Sequence, residues 1–386
     1  MSKIKLLTII GARPQIIKAA ALSRAIRTRF IDTIEEIIVH TGQHYDEAMS
    51  AVFFEEMGVP KENYNLNVGS KGHGHQTGQM LAGIEDILLK EKPDALVVYG
   101  DTNSTLAGAL AAAKLLIPVV HIEAGLRSFN KTMPEEINRI TADHVSTLLF
   151  SPSESGFINL VREGFLPNND GPYTADNPKI YHCGDLMLDN SMYFGTVSEQ
   201  KSSVINTLGL AGKEFLLATI HRNANTDDAS RLSALFLALN NISLENNLLV
   251  VLPLHPRTRK MLDTHLQPEV KTAVENNPGF MIVEPVGFLD MIALEKQAKM
   301  IITDSGGVQK EAYFFNKPCI ILRPETEWVE IVDAGAAIIA DADYGRIMNA
   351  FEELKNKQID YKPIFGDGQA AEFMCEEILK HIKPRG

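Results

Sequence analysis

The strongest constraint on this chain is a recurring unit: a short apolar run that stops at a polar or glycine cluster and is followed by a helical pattern. Lys3 to Ile10 stops at Gly11-Ala12-Arg13-Pro14, Glu35 to His40 at Thr41-Gly42-Gln43-His44, Asp94 to Tyr99 at Gly100-Asp101-Thr102, and Ile117 to Ile122 at Glu123. Near-continuous apolar runs mark parallel strands buried on both faces, and strands alternating with helices predict a doubly wound sheet. The second half repeats the plan without repeating the sequence. There Glu214 to Ile220 leads into His221-Arg222-Asn223, Leu248 to Pro253 into His255-Pro256-Arg257, Phe280 to Val283 into a turn reaching Phe288, and Met300 to Thr303 into Asp304-Ser305-Gly306-Gly307. The expected fold is α/β, with two Rossmann-like doubly wound domains facing across a cleft. Residues 1–183 with a returning C-terminal helix, 370–386, form the first domain and 184–369 the second, with the boundary near Gly184.

Length and composition agree with this. At 386 residues the chain exceeds one ordinary core, and 45% hydrophobic with 22% charged residues is the composition of a soluble globular protein. No apolar run approaches the roughly 18 to 20 residues that span a bilayer, and the apolar N-terminal run leads into Arg13 rather than a cleavage site, so a cytoplasmic protein without a membrane partner is expected. A formal charge of −12 argues against a nucleic-acid partner. Cys183, Cys319 and Cys375 lie far apart with no metal-ligand spacing and read as reduced, mostly buried thiols.

Chemistry concentrates in His121 to Arg139, HIEAGLRSFNKTMPEEINR. Here Glu123, Glu135 and Glu136 with Arg127 and Arg139 follow a strand end, where α/β sheets bind ligands. Asp101 lies just past another strand, with helix N-capping as its alternative role. Arg13 occupies an anion-ready strand–turn–helix corner that lacks G-x-G-x-x-G, so dinucleotide binding is not expected. In Thr303 to Ala312, two glycines after a strand and before a helix suit a diphosphate, with the Ser305 hydroxyl beside it and Glu311 one to two turns on, placed to accept from ribose hydroxyls. Gly69 to Gly78, with His73 and His75, is expected to be a flexible loop, and a helix is expected over about 47–57.

The motifs GARPQ, GDTNST, HIEAGLRS with PEEINR, IHRN, TDSGGVQKEA and GDGQA, in this order over nearly the full length, resemble the non-hydrolysing UDP-N-acetylglucosamine 2-epimerases. The resemblance implies the glycosyltransferase-B architecture, a homodimer, a UDP-sugar substrate, and no nicotinamide or essential metal. It implies removal of the C2 proton with expulsion of UDP to give a 2-acetamidoglucal, then re-addition on the opposite face. Asp101, Glu123 and Glu135 are then the acid/base carboxylates, with His221 among the catalytic groups on the phosphate side. Arg13, Arg139, Arg222, His255, Phe288, Ser305, Gly306, Gly307 and Glu311 hold substrate or UDP. The altered 72–76 segment implies weak or absent activation by UDP-GlcNAc. TGQH and ETEWVE also resemble the branch acting on UDP-2,3-diacetamido-2,3-dideoxyglucuronate, whose C6 carboxylate would need a cation such as Arg127 or His75. A glycosyltransferase of the same architecture is the rival class, and it would need an acceptor groove.

Overall fold

The computed structural model describes residues 3–43, 58, 60–69, 72–254 and 256–385, the side chains at 256 and 257 apart. The expected helix over 47–57 and His255 lie outside these residues. The chain divides into two compact units, Met1–Asn190 with Pro363–Gly386, and Ser191–Lys362.

In the first unit β1 (Ile4–Ile10), β2 (Ile34–His40), β3 (Tyr64–Asn65), β4 (Ala95–Tyr99), β5 (Val119–Ile122), β6 (Leu148–Ser151) and β7 (Lys179–His182) form one sheet in the order β3-β2-β1-β4-β5-β6-β7. Every pairing is parallel. Leu6, Leu7, Ile9 and Ile10 are all inaccessible, which is why β1 reads as an unbroken apolar run rather than an alternating one. Strand order reverses between β1 and β4, so the crevice at the carboxyl ends of those two strands is where a fold of this kind binds ligands.

The helix Arg13–Arg29 follows β1, with Pro14 in its first turn, where a missing N–H costs nothing. The chain returns to this unit through Gly366, where an added Cβ would stand 2.9 Å from the Gly184 Cα. Both glycines have positive φ, so two backbones can cross there. Beyond the crossing, the Asp189 carboxylate accepts from the Ala370 and Ala371 N–H groups and caps the helix Ala370–His381.

In the second unit β8 (Phe215–Thr219), β9 (Leu249–Pro253), β10 (Phe280–Val283), β11 (Met300–Thr303), β12 (Cys319–Ile321) and β13 (Ala337–Ile339) are ordered β10-β9-β8-β11-β12-β13, again all parallel. The reversal falls between β8 and β11. Leu216, Ala218, Val250, Leu252, Ile302 and Ile320 build its core against Phe236 and Phe351 of the flanking helices. β3 and β13 are short edge strands that the sequence pattern does not announce.

The structure departs from expectation at 72–78. His73 already begins a helix that runs to Glu91. Its glycines would favour a loop on propensity, but buried Gln76 donates to the Gly69 carbonyl at 2.8 Å and accepts from Asn103 Nδ2 at 2.8 Å. Tertiary hydrogen bonds thus override local preference. No helix among the described residues is long and apolar enough to cross a membrane.

Candidate active site

At the β1–β4 switch point the loops are tied together by glutamines. Buried Gln15 accepts from the Gly11 and Ala12 N–H groups at 2.8 and 3.2 Å and donates to the Tyr99 carbonyl at 2.9 Å, binding the turn after β1 to the end of β4. The Gln43 carbonyl accepts from the Ser104 hydroxyl at 2.8 Å and its N–H at 3.2 Å. Arg13 is exposed on the first helical residue of this corner.

Glu123 adopts φ +71°, a left-handed conformation costing on the order of 1–3 kcal/mol in a residue with a side chain. Its carboxylate pairs with Lys18, whose side chain is mostly buried. Burial works against the Lys18 ammonium, yet Glu123 above all, and then Asp185 and Asp101, hold its pKa above the ordinary lysine value. Gly100, at φ +61°, leaves room for this pair, because a Cβ there would come within 2.8 Å of Glu123 Oε2.

Asp101 follows directly. The capping role open to it is taken by Thr102, which accepts from the Thr105 N–H, while the Asp101 carboxylate pairs with Arg139. Arg139 also reaches Glu136 at 2.9 Å, and the two Glu136 oxygens accept from the Ser128 and Phe129 N–H groups, both at 2.9 Å. Glu136 therefore folds the 124–133 loop onto the helix Pro134–His144. Glu135, one residue earlier, is exposed and outside this web.

Beneath these groups lies a sealed ion network. His121 Nε2 meets the Gly100 carbonyl at 2.8 Å, and Nδ1 meets Asp143 at 2.7 Å. Asp143 also binds Arg127 at 2.7 Å, and Arg127 forks onto Glu163. Burial pushes the Asp143 carboxyl up, but His121 and Arg127 hold it below its usual range. The Arg127 side chain is 1% exposed, so the expectation that it meets a substrate carboxylate fails: its guanidinium is committed to Asp143 and Glu163. His75 is exposed in the first turn of its helix.

In the second unit the fully buried Asp304 carboxylate gathers the ends of β8 and β11. It accepts from the N–H groups of His221 at 3.0 Å and Arg222 at 2.9 Å, and from Asn225 Nδ2 at 3.1 Å. His221 Nδ1 lies 3.0 Å from it, on a ring 38% exposed. Burial raises the Asp304 carboxyl, but His221, the Arg222 N–H and Asn225 hold it below the usual range. Arg222 is exposed and Phe288 partly buried, packed edge-on against Phe194 at 5.1 Å.

Ser305 is the N-cap of the helix Gly306–Phe314, and its side chain makes no capping hydrogen bond. Ser305 Oγ and Glu311 Oε2 both lie 4.0 Å from the point where a Cβ on Gly307 would stand, so hydroxyl, helix N-terminus and carboxylate share one small space. Against Gly306 stands the 323–328 segment. Arg323 forks onto Glu327 at 2.8 and 2.9 Å, and Trp328 Nε1 donates to the Gly306 carbonyl at 3.0 Å under Lys310 Nζ, 3.9 Å from its ring.

Asp101, Glu123 and Arg139 meet at the first unit's switch point, with Arg13 on the first helical residue of the same corner, whereas Glu135 stays exposed outside this web. In the second unit His221, Arg222, Ser305, Gly306 and Gly307 follow β8 and β11, and Glu311 lies near Gly307. Phe288 lies in the second unit on a separate helix. The sequence reading missed Lys18, whose signal is a lone cation inside the apolar run Ile16 to Ala21. It also missed Asp304, a carboxylate directly after a strand and beside the phosphate-like turn.

Two doubly wound sheets, each with charged groups at its switch point, are the architecture of α/β proteins that bind ligands at the carboxyl ends of their strands. The chain belongs to the UDP-N-acetylglucosamine 2-epimerase family, whose model matches residues 27–379. It is 48% identical to the UDP-2,3-diacetamido-2,3-dideoxy-D-glucuronate 2-epimerase of Pseudomonas aeruginosa, over 97% of this chain and 99% of that protein. The crystal structure of the Methanocaldococcus jannaschii UDP-GlcNAc 2-epimerase, in complex with UDP-GlcNAc and UDP, superposes with a TM-score of 0.80 at 40% identity, covering 98% of this chain and 100% of the other. At 10% identity and TM-score 0.58, the α,α-trehalose 6-phosphate synthase of Burkholderia multivorans shares the fold alone, over 98% of this chain and 96% of that one.

Proposed function

We propose that the protein epimerises C2 of a UDP-2-acetamido sugar, converting UDP-GlcNAc to UDP-ManNAc without hydrolysis. The observation that carries this is the carboxylate pair Asp101 and Glu123 held beside Arg139 and Lys18 at one switch point. A carboxylate takes the C2 proton, the C1–O bond to UDP breaks with its electrons leaving on the diphosphate, and a 2-acetamidoglucal remains. Re-addition of UDP at C1 with protonation of C2 on the opposite face completes the exchange, so acid and base must serve opposite faces. Asp101, Glu123 and Glu135 are our acid/base set. Ser305, Gly306 and Gly307, with Arg13 and His221, take the diphosphate as its charge develops, and Glu311 takes the ribose.

UDP-GlcNAc supplied alone tests the reading. Turnover without acceptor, in heavy water, should place deuterium at C2 of the product, whereas a glycosyltransferase would need an acceptor and leave C2 unlabelled. A second substrate, UDP-2,3-diacetamido-2,3-dideoxyglucuronate, is favoured by the 48% identity to a relative bearing that activity in its name. Turnover of both sugars side by side decides between them. The family resemblance further supports a cytoplasmic homodimer that supplies surface-polysaccharide precursors. It also supports an N-terminal Rossmann-like domain and a UDP-binding Rossmann-like domain, expected over 1–183 with 370–386 and over 184–369, whereas the compact units divide after Asn190 and after Lys362.

A further inference from the structure

Asp101 and Glu123 lie just past the ends of two neighbouring strands, β4 and β5, and the groups that fix their backbones converge on one buried pair, His121 and Asp143. On the near side of Glu123, His121 Nε2 reaches the carbonyl of Gly100, the residue before Asp101, at 2.8 Å, and the Gly100 N–H donates to the Ile122 carbonyl at 2.9 Å. Asp143 holds the far side. Its Oδ1 meets His121 Nδ1 at 2.7 Å, and its Oδ2 accepts from the Gly125 N–H at 3.1 Å and from Arg127 at 2.7 Å. Glu123 is therefore tied on both flanks, and its disfavoured φ of +71° is imposed by those ties. The same bonds fix the hydrogens on the ring. A carbonyl oxygen only accepts, so Nε2 carries a hydrogen. Asp143 Oδ2 faces two donors, one of them a guanidinium, so the carboxylate is the accepting anion and Nδ1 carries a hydrogen as well.

We propose that His121 and Asp143 are positioning residues for the C2 proton transfer: a buried imidazolium grips the Gly100 carbonyl while its carboxylate partner holds Gly125 and Arg127, so that Asp101 and Glu123 are presented at a fixed spacing. The inference rests on the reading that these two carboxylates belong to the acid/base set. Groups that work on opposite faces of one ring carbon must keep their places through both halves of the reaction, and a displacement of about 1 Å costs on the order of 10²-fold. A buried ion pair adds little stability over apolar residues of the same shape, so the fold alone does not account for one at the root of both carboxylates. Held geometry does.

The test is steady-state turnover in heavy water by the full chain, on whichever of the two UDP-sugars wild type converts, with UDP affinity by calorimetry. His121→Phe fills the space of the ring and donates nothing. It should lose about a hundredfold in kcat and in deuterium entry at C2, while KM and UDP affinity stay near wild type. His121→Gln keeps a donor for the Gly100 carbonyl and should recover part of the loss; a glutamine variant no better than the phenylalanine one would overturn the role given to that bond. Wild type that leaves C2 unlabelled would overturn the acid/base reading, and with it this inference. A folded His121→Phe protein with wild-type kcat would overturn the inference alone, as would one whose KM and UDP affinity worsen in step with kcat. Neutron diffraction from perdeuterated wild-type crystals covers the case in which neither variant folds. Deuterium is expected on both nitrogens of His121, and a bare nitrogen would overturn the proposal.

Discussion

The two switch points use carboxylates in opposite ways. In the first unit Asp101 and Glu123 stay partly accessible, each against one cation. In the second, Asp304 is wholly buried and its oxygens are taken up by the His221 and Arg222 N–H groups, the Asn225 amide and the His221 ring. A carboxylate with one partner and solvent access can exchange a proton, whereas one saturated with donors serves as a fixed anion that shapes backbone. With Asp304 gathering the ends of β8 and β11, the N-terminus of the helix Gly306–Phe314, whose N-cap Ser305 makes no side-chain cap, is where we place a ligand anion. In the proposed reaction the first unit would move protons and the second hold charge.

The comparison breaks most readily at Glu123. Glu123→Gln keeps shape and removes the titrating group, so epimerisation and solvent deuterium incorporation at C2 should fall by roughly 10² to 10⁴-fold, as expected for lost general acid-base catalysis. UDP affinity by calorimetry should hold, since Glu123 is not among the groups we assign to the diphosphate. Loss of affinity in step with activity would mean that the two units do not divide the work.

Asp304→Ala should do the reverse. It leaves two backbone donors and an amide buried without an acceptor, at a cost of about 3 kcal/mol read by urea denaturation of the second unit. UDP affinity should fall with it, because the ends of β8 and β11 separate. A variant of wild-type stability and affinity would show that Asp304 shapes nothing.

The sheets were legible because burial on both faces writes unbroken apolar runs, and glycine or charge marks where each strand stops. The short edge strands Tyr64–Asn65 and Ala337–Ile339 were not, since two or three residues carry no period. At the site, sequence located the clusters but not the partnerships. Glu135 and Glu136 look equivalent on the page, yet one is exposed while the other accepts from a loop 7 and 8 residues earlier. Arg127 looked like a ligand cation and is sealed inside, because its partners Asp143 and Glu163 are distant in sequence. Lys18 and Glu123 are 105 residues apart, and only the β1–β4–β5 order brings them together. Pairing across elements is set by topology, and local pattern does not encode it.

The smallest expected effect sharpens the contrast between saturated and under-satisfied buried carboxylates. Asp189 also accepts backbone N–H groups, from Ala370 and Ala371, but no cation pairs with it among the described residues, and it lies near Glu372 and Asp185. Burial, reinforced by those acids, raises its pKa from 3.8 to about 6, the opposite direction from Asp304. Since the folded state holds the Asp189 proton more tightly than the unfolded chain, the stability it contributes is present below about pH 4 and is lost as pH rises to about 6. For Asp304, with its folded value depressed, the contribution is present above the ordinary aspartate value and is lost as pH falls below it. The two therefore act in separate windows with opposite slopes. Urea denaturation of wild type and Asp189→Asn from pH 4 to 7 isolates the first. The difference in stability should move against wild type by on the order of 2 kcal/mol across that range and level off above pH 6.5, since a pKa difference of one unit is worth roughly 1.4 kcal/mol. A flat difference would mean that the helix N-terminus compensates fully for burial, and that a pair of backbone donors is enough to keep a buried carboxylate ionised in this fold.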